Sequence, residues 1–256
     1  MTAFTNLHHT ETPLLLPNAW DHASAAALAA QGFPAIGTTS LGVAAAAGLP
    51  DGRAATRDET LLLAQRLGQR PFLLSVDAEG GFSDDPAEVA ELARRLAAAG
   101  AVGVNLEDGR GDGTLTPTDL HAAKIAAVKT AVPDLFVNAR TDTHWLKTRR
   151  SETAPRLAAY REAGADGAFV PGLFEPAEIT ALVELLGAIP LNVLYSPSGP
   201  TLTQLAALGV RRVSLGSLLF RVALDAAVSA AADVRAGRPV GAGVTTYDAV
   251  QGLNGG

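Results

Sequence analysis

The sequence contains no cysteine among its 256 residues. Disulfide bonds, thiolate zinc sites, iron–sulfur clusters and a thiol nucleophile are therefore excluded. It also lacks an apolar run long enough to cross a bilayer, because Gly, Pro or charged residues interrupt its Ala-rich stretches. Residues 1–12 do not show the basic-then-apolar order of a secretory signal, so we expect a cytoplasmic protein.

Positive charge is sparse and nowhere concentrated. The chain has 20 Lys and Arg against 26 Asp and Glu, giving a net charge of −6. Without a basic cluster, we expect neither nucleic acid nor a membrane as a partner. A small anionic substrate would then have to be attracted locally, by a metal ion, a single arginine or backbone amides.

One pattern recurs eight times: a short apolar run, a polar end, a loop and an Ala/Leu-rich helix. The predicted strands are 13–18, 35–39, 72–77, 103–107, 135–140, 167–171, 190–194 and 212–216. Near-continuous apolar strands alternating with helices are typical of a parallel sheet covered by helices. The pattern predicts a single α/β domain over 1–236, a (β/α)₈ TIM-type barrel, followed by a Gly-rich arm over 237–256.

The main rival architecture is an open doubly wound sheet. That fold usually carries a Gly-rich dinucleotide-binding turn after its first strand. Here the first strand leads into Asn18-Ala19-Trp20-Asp21, which has no glycine. This favours the barrel. The arm could be mobile, could contact a neighbouring subunit, or could be a frayed end.

Acidic residues follow two neighbouring predicted strands, where the active site of a barrel lies. They are Asp77 and Glu79, then Glu107 and Asp108, and Asp51 is available from the loop after the second strand. Carboxylates gathered in a partly dry pocket repel one another, and a hard divalent cation relieves the repulsion. Oxygen ligands favour Mg²⁺, with Mn²⁺ as a possibility. The alternative is that each acid only caps a helix or makes a turn.

Two further features could bind an anion at the same mouth. Arg140 ends the fifth predicted strand, where it could bind a carboxylate or stabilise an enolate oxygen, with Asp142 orienting it. A surface salt bridge is the alternative for Arg140. The segment Thr38-Thr39-Ser40-Leu41-Gly42 could point backbone amides inward as an anion nest, or could be an ordinary turn.

These residues, in this order, are similar to a known superfamily. The segments LLLPNAWDHASA, GFPAIGTTSLGVA, LLSVDAEGGF, VGVNLEDG, FVNARTD and GADGAFVPG resemble the isocitrate lyase/phosphoenolpyruvate mutase superfamily, and the resemblance extends from about residue 13 to about residue 226. Each motif is weakly specific alone, but together they are specific. The resemblance implies a barrel whose last helix is swapped between protomers of a homodimer or homotetramer.

The resemblance also implies a site. Asp77 would bind Mg²⁺ directly, and Glu79, Glu107 and Asp51 would act largely through coordinated water. A small 2-oxo acid would chelate the metal through its carboxylate and keto oxygens. Ser40, Leu41 and Gly42 would hold the substrate carboxylate, and Arg140 and Asn192 would complete the substrate pocket. Arg140 and Glu107 are the predicted catalytic residues.

Two departures from the superfamily pattern matter. The second of the paired acids is Glu79 where the family usually has Asp. The lyases of the family also carry a cysteine-containing gating loop, but the corresponding residues 109–116 read GRGDGTLT. The usual lyase mechanism therefore cannot operate unchanged. Tyr195, His144 or a metal-bound water remain as candidate proton donors or acceptors.

The sequence thus predicts a Mg²⁺-dependent lyase that cleaves a C–C bond of a small 2-oxo or 2-hydroxy acid through a metal-stabilised enolate. The chemical alternative is P–C bond chemistry, by a phosphonopyruvate-type mutase or hydrolase. Two other classes stay open. The chain could be a catalytically inactive 2-oxo acid binding protein, as the missing loop residues suggest, or a structural barrel that binds neither ligand.

Overall fold

The computed structural model describes residues 1–241 and 243–253. Its strands are β1 Leu14–Leu16, β2 Asn18–Ala19, β3 Ala35–Thr38, β4 Leu73–Asp77, β5 Ala101–Glu107, β6 Phe136–Arg140, β7 Gly167–Val170, β8 Leu191–Leu194 and β9 Arg212–Ser214. Its α-helices are α1 Ala3–Asn6, α2 His22–Ala30, α3 Ser40–Ala47, α4 Arg57–Leu67, α5 Pro86–Ala98, α6 Thr118–Ala131, α7 Thr153–Glu162, α8 Pro176–Leu186, α9 Leu202–Ala207, α10 Leu218–Arg235 and α11 Tyr247–Gly252. A 3₁₀ turn at Arg150–Glu152 precedes α7.

The strands form one parallel sheet that curls into a nearly closed barrel. Its order is β1-β9-β8-β7-β6-β5-β4-β3-β2. Only Pro17 separates β1, which pairs with β9, from β2, which pairs with β3. Proline has no N–H for the ladder, but its carbonyl oxygen accepts from the Gly37 amide at 2.8 Å. The predicted barrel is confirmed, and the predicted strand 13–18 is a single path divided at Pro17.

Helices α2 to α9 bury apolar residues against the outside of the barrel. In α5, the side chain of Asp85 accepts a hydrogen bond from the Ala87 amide, and Pro86 occupies the first turn. Val89, Leu92 and Leu96 then recur at helical spacing and are buried. These side chains belong to the same hydrophobic core as the strand residues Val76 and Val104.

The N-terminal end of the barrel is closed by α1 and the turn after it. The ring of Phe4 packs edge-on against Phe136, with centroids 5.3 Å apart, and His8 stacks on Phe136 at 4.4 Å. His8 Nδ1 lies 2.9 Å from the Phe4 carbonyl oxygen. These contacts cover the N-terminal end of the barrel, opposite the C-terminal strand ends where the active site of such a barrel lies.

Beyond the barrel, α10 leads into the predicted arm 237–256. Helix α11 lies within that arm, while residues 242 and 254–256 fall outside the described residues. The boundary at residue 236 stays a prediction. In the part of the chain that the structure describes, no helix has both the length and the hydrophobicity that crossing a membrane requires.

Buried histidines make the stability of the fold depend on pH. Burial lowers the pKa of His121 from 6.5 to about 4. Between about pH 6.5 and pH 4, His121 is mostly protonated in the unfolded chain but mostly neutral in the folded chain. The free energy of unfolding therefore falls as the pH drops through this interval. For His121 the loss reaches about 2 kcal/mol at pH 5, at roughly 1.4 kcal/mol per pH unit. Urea unfolding at pH 7 and pH 5 should show that His121→Leu loses less stability over this interval than the wild type, by this amount.

The matched control is His9→Leu, which removes an exposed histidine. That variant should keep the wild-type decline between pH 7 and pH 5. An identical decline in His121→Leu would contradict the assignment.

Candidate active site

A cavity of about 270 Å³ opens among the C-terminal ends of the strands. Six of the predicted site residues line it: Ser40, Leu41, Asp51, Asp77, Glu107 and Arg140. Three others, Gly42, Glu79 and Asn192, do not line the cavity. The structure therefore brings most of the predicted site together, including an acid from each of β4 and β5 and the arginine that ends β6.

Asp77 is the last residue of β4, and only one of its two carboxylate oxygens accepts a hydrogen bond in the structure. Its Oδ2 accepts a hydrogen bond from the Ser40 amide at 3.2 Å, at the start of α3. Its Oδ1 is buried and has no hydrogen-bond partner among the described residues. The Ser40 side chain also donates to Asp51, whose pKa is raised by burial and by the charge of Asp77. Ser40 thus joins two carboxylates on one side of the cavity.

Arg140 is clamped between two acids. Its Nη1 lies 2.6 Å from Glu107 Oε2, and its Nε lies 2.6 Å from Asp142 Oδ1. Asp142 therefore contacts Arg140 as expected, and its role in orienting the guanidinium stays a prediction. The guanidinium carbon also lies 5.6 Å from the ring centroid of Phe169. Burial disfavours the charge of Arg140, but Asp142 and Glu107 outweigh it and raise its pKa.

Burial raises the pKa of Glu107 well above its ordinary value, and Arg140 only partly opposes that rise. Burial likewise raises the pKa of Asp142, although Arg140 lowers it. One guanidinium therefore serves two buried carboxyl groups, and both keep a raised pKa because a single positive charge does not offset the burial of both.

Glu79 faces away from the cavity and ties two loops together. It has a left-handed backbone, with φ of 47°. Its carboxylate accepts from Thr56 Oγ1 at 2.6 Å and from the Ala54 amide at 3.0 Å. Burial raises the pKa of Glu79. In the structure Glu79 therefore fixes the position of residues 54–56, which follow Asp51, through these hydrogen bonds.

Gly42 and Asn192 do not line the cavity either; the first is a close-packed position and the second forms hydrogen bonds inside the barrel. A Cβ on Gly42 would meet Trp20 and Thr39 at 2.8 Å, so only glycine fits there without a shift. Asn192 Nδ2 donates to Ser214 Oγ at 3.0 Å inside the barrel. Their roles in substrate binding stay predictions.

Asp108 does not converge on the mouth with the other acids, contrary to expectation. It is fully buried and accepts from Tyr160 Oη at 2.7 Å and from Arg156 Nη1 at 3.1 Å. It also accepts from the Thr141 hydroxyl at 2.8 Å and from the Asp142 amide at 2.8 Å. Neighbouring residues at a strand end point to opposite sides, so Glu107 faces the cavity and Asp108 faces α7.

Arg212 is a buried residue that sequence reasoning missed. It lies inside the barrel, where its Nη2 donates to Asn105 Oδ1 at 3.2 Å and its Nε lies 3.3 Å from Ser214 Oγ. Burial lowers its pKa to about 9, and the charge of Asp77 opposes this shift. The available signal was an arginine within an otherwise apolar predicted strand.

The loop at 109–116 is a short hairpin against the mouth. Gly109 and Leu115 form an antiparallel bridge. Arg110 pairs with Asp84 through both carboxylate oxygens, at 2.9 and 2.8 Å. A Cβ on Gly111 would lie 2.5 Å from the Gly52 carbonyl oxygen, so this loop touches the segment beside Asp51.

The candidate proton donors Tyr195 and His144 do not line the cavity. His144 Nδ1 lies 3.9 Å from Glu178 Oε2, and burial lowers the pKa of the imidazole. Its neighbour Trp145 does line the cavity and was not predicted. In 1–241 and 243–253, no three His, Asp or Glu side chains already form a group that could hold a metal ion.

A nearly closed parallel barrel with acids and an arginine at the ends of its strands defines an α/β-barrel protein with an acidic pocket. The chain belongs to the phosphoenolpyruvate phosphomutase family, whose model matches residues 4–235. The resemblance to the isocitrate lyase/phosphoenolpyruvate mutase superfamily is thus confirmed.

Three relatives are informative. An uncharacterized protein of Mycobacterium tuberculosis is 44% identical over 92% of this chain and 90% of its own length. A phosphoenolpyruvate phosphomutase of Streptomyces hygroscopicus is 32% identical over 80% of this chain and 70% of its own. A 2-methylisocitrate lyase of Bacillus subtilis is 32% identical over 77% of this chain and 68% of its own. The superfamily contains lyases and mutases that act on small carboxylic acids.

Solved structures agree on the fold. A putative lyase/mutase from Burkholderia cenocepacia superimposes with a TM-score of 0.89 at 36% identity, covering 99% of this chain and 95% of that one. A 2,3-dimethylmalate lyase superimposes with a TM-score of 0.86 at 25% identity, covering 100% of this chain and 95% of the other.

The buried pair of Asp108 and Arg156 should be important for stability. Asp108→Asn would remove the buried counter-charge of Arg156 and leave only the partly exposed Glu152 paired with the guanidinium, and breaking such a buried pair costs up to about 3–5 kcal/mol. Urea denaturation should show a loss of this size in the free energy of unfolding. The control Glu91→Gln breaks an exposed pair with Arg94 and should cost less than about 1 kcal/mol. Equal losses in the two variants would contradict this prediction.

Proposed function

We propose that this protein is a divalent-metal-dependent lyase that cleaves a C–C bond of a small 2-oxo or 2-hydroxy carboxylic acid. The observation that carries the proposal is the unpartnered, buried Oδ1 of Asp77 in a cavity that Asp51 and Glu107 also line. A buried carboxylate oxygen without a donor is unfavourable unless a cation or a proton fills the place. Oxygen ligands of this kind suit Mg²⁺, with Mn²⁺ as the alternative.

The residues fit such a cation. Asp77 would bind it directly, and Asp51 and Glu107 would hold its water shell. When bound, the cation would supply Lewis-acid stabilisation of negative charge on a substrate oxygen.

The chain's own residues would orient the acid and balance its charge. Arg140 keeps N–H groups beyond its three contacts with Glu107 and Asp142, so it can still donate to a carboxylate or an enolate oxygen. Its clamped position makes the guanidinium pre-organised, which is the condition for stabilising charge that develops during reaction. The cavity of about 270 Å³ suits a small acid.

The second candidate function is P–C bond chemistry of the phosphonopyruvate type. The observation that favours it is the similarity to a phosphoenolpyruvate phosphomutase, whereas the loop 109–116 matches neither the cysteine-containing loop of the lyases nor the loop of the mutase. Turnover assays with Mg²⁺ should include oxaloacetate, 2-hydroxy dicarboxylates and phosphonopyruvate. Activity confined to phosphonopyruvate would replace the lyase proposal by this one.

Asp77→Asn tests the proposed site. Titration calorimetry should show Mg²⁺ affinity reduced by at least about a hundredfold, roughly 2.7 kcal/mol, because the amide removes the charge while conserving shape. Turnover on the responding substrate should fall in parallel. The control Asp119→Asn, on the exposed surface of α6, should leave both unchanged. Unchanged Mg²⁺ affinity in Asp77→Asn would refute the proposed metal site.

We further propose that the protein forms a homodimer or homotetramer in which α10 packs against a second copy. None of the residues of α10 is buried. Val222, Leu224, Val228 and Val234 are each more than half exposed. Apolar side chains exposed in this number along one helix are typical of a subunit interface. The cytoplasmic location expected from the sequence likewise stays a prediction.

Light scattering tests this assembly. The wild-type protein should scatter as a dimer or tetramer, and Val228→Asp should shift the population towards monomer because it places a charge in the apolar contact. The control Leu62→Asp alters an exposed leucine on α4 and should keep the wild-type mass. A monomeric wild type would contradict the proposed assembly.

A further inference from the structure

Asn105 is a polar residue inside the barrel that also lines the cavity. It lies on β5, two residues before Glu107 and therefore deeper in the barrel. In the parallel ladder its Cα pairs with that of Asp77 on β4 and with that of Asn138 on β6. Paired residues of neighbouring strands point to the same side of a sheet, and the strands lie about 4.8 Å apart. The Asn105 side chain is therefore a direct neighbour of the Asp77 carboxylate.

The direction of the Asn105 amide is fixed by a group that can only donate. Its Oδ1 accepts a hydrogen bond from Arg212 Nη2 at 3.2 Å and another from Asn138 Nδ2 at 2.9 Å. A guanidinium has no acceptor atom, so the amide atom that faces Arg212 must be the oxygen. Turning the amide round would set two donors against each other. Asn105 Nδ2 is therefore the atom that faces away from Arg212.

This leaves Asn105 Nδ2 as an unused donor beside an unused acceptor. Within 1–241 and 243–253 it has no hydrogen-bond partner, and it is not one of the unpaired atoms that are shut off from solvent. Its neighbour Asp77 Oδ1 is a buried atom without a donor. The two atoms do not bond to each other, so both are available to a ligand. The amide suits a ligand oxygen, and the carboxylate oxygen suits a cation.

We propose that Asn105 is a catalytic residue whose Nδ2 donates a hydrogen bond to the enolate oxygen that gains negative charge in the lyase reaction. This inference rests on the proposed function and adds a neutral donor to it. Arg140 already serves two carboxyl groups, whereas Asn105 Nδ2 serves none. A donor held in place by Arg212 needs no reorganisation as the charge develops. Unlike a second guanidinium, it does not repel a cation at Asp77.

Oxalate and pyruvate are suitable probes, because both are small acids that offer two adjacent oxygens. Oxalate carries negative charge at both ends, as an enolate beside a carboxylate does, whereas the keto oxygen of pyruvate is neutral. Hydrogen bonds to charged oxygens are the stronger ones. With Mg²⁺ present, titration calorimetry should show that Asn105→Ala weakens oxalate binding by about tenfold or more and pyruvate binding by about threefold or less. Mg²⁺ affinity without either acid should stay within about twofold of the wild type.

Asn105→Asp separates the loss of the donor from a loss of packing. The carboxylate keeps an oxygen opposite Arg212 Nη2 and Asn138 Nδ2, but it places an acceptor where Nδ2 was. Oxalate binding should fall by at least as much as in the alanine variant. Mg²⁺ affinity should equal or exceed that of the wild type, because a further carboxylate lies beside Asp77. General damage to the site would instead lower both affinities together.

Turnover gives an independent readout. Removing one donor to a developing oxyanion lowers kcat by about 10²–10³ in other enzymes. On a substrate that the wild type converts, Asn105→Ala should therefore lower kcat about a hundredfold and leave KM within about threefold. The controls are Asn6→Ala and Asn6→Asp, which make the same changes at an exposed asparagine at the end of α1. Both controls should keep the wild-type affinities.

The outcomes separate this inference from the proposed function. Unchanged oxalate affinity in both Asn105 variants, with Mg²⁺ bound and the fold intact in urea unfolding, would overturn the role of Asn105 and leave the lyase proposal standing. A parallel loss of Mg²⁺ and oxalate affinity in Asn105→Asp would also overturn it, because the residue would then be structural. If the wild-type protein binds neither acid in the presence of Mg²⁺, the proposed function fails and the role of Asn105 fails with it.

Discussion

The ion-pair cluster of Glu107, Arg140 and Asp142 is the interaction on which the rest of the mouth depends. It joins the ends of β5 and β6 through contacts of 2.6 Å on either side of one guanidinium. Such a cluster is costly to bury, and its single positive charge cannot compensate two carboxylates and the nearby Asp77 together. The proposed cation would offset the remaining acidity of this mouth, and this physical argument does not depend on similarity to other proteins.

The sequence could predict the site residues that lie at the C-terminal ends of strands. Asp77, Glu107 and Arg140 each follow an apolar run directly, and parallel strands in a barrel bring such ends to one mouth. This rule needs only the strand boundaries, and the predicted boundaries agree with the observed strands to within about two residues. The division of the first predicted strand at Pro17 changes which neighbouring strand each part pairs with, but it does not change the path of the chain.

The rest could not be predicted, because it depends on distant partners and on the direction of single side chains. Asp108 differs from Glu107 only by one position, and that position turns it towards Arg156 and Tyr160 on α7, 48 and 52 residues away. Glu79 takes a left-handed backbone without being glycine, and the direction of its carboxylate follows from the hydrogen bonds donated by Thr56 Oγ1 and the Ala54 amide. No local pattern encodes either outcome.

The contacts of Asp108 connect the hairpin 109–116 with Arg140. Asp108 accepts from the amide of Asp142, and Asp142 in turn holds Arg140. The backbone of Gly109 lies against the Asp142 carboxylate so closely that an added Cβ would collide with it. The hairpin 109–116 and the orientation of the guanidinium are therefore not independent. A short glycine-containing loop is compatible with this packing, whereas a residue with a side chain at position 109 would displace either the loop or the clamp.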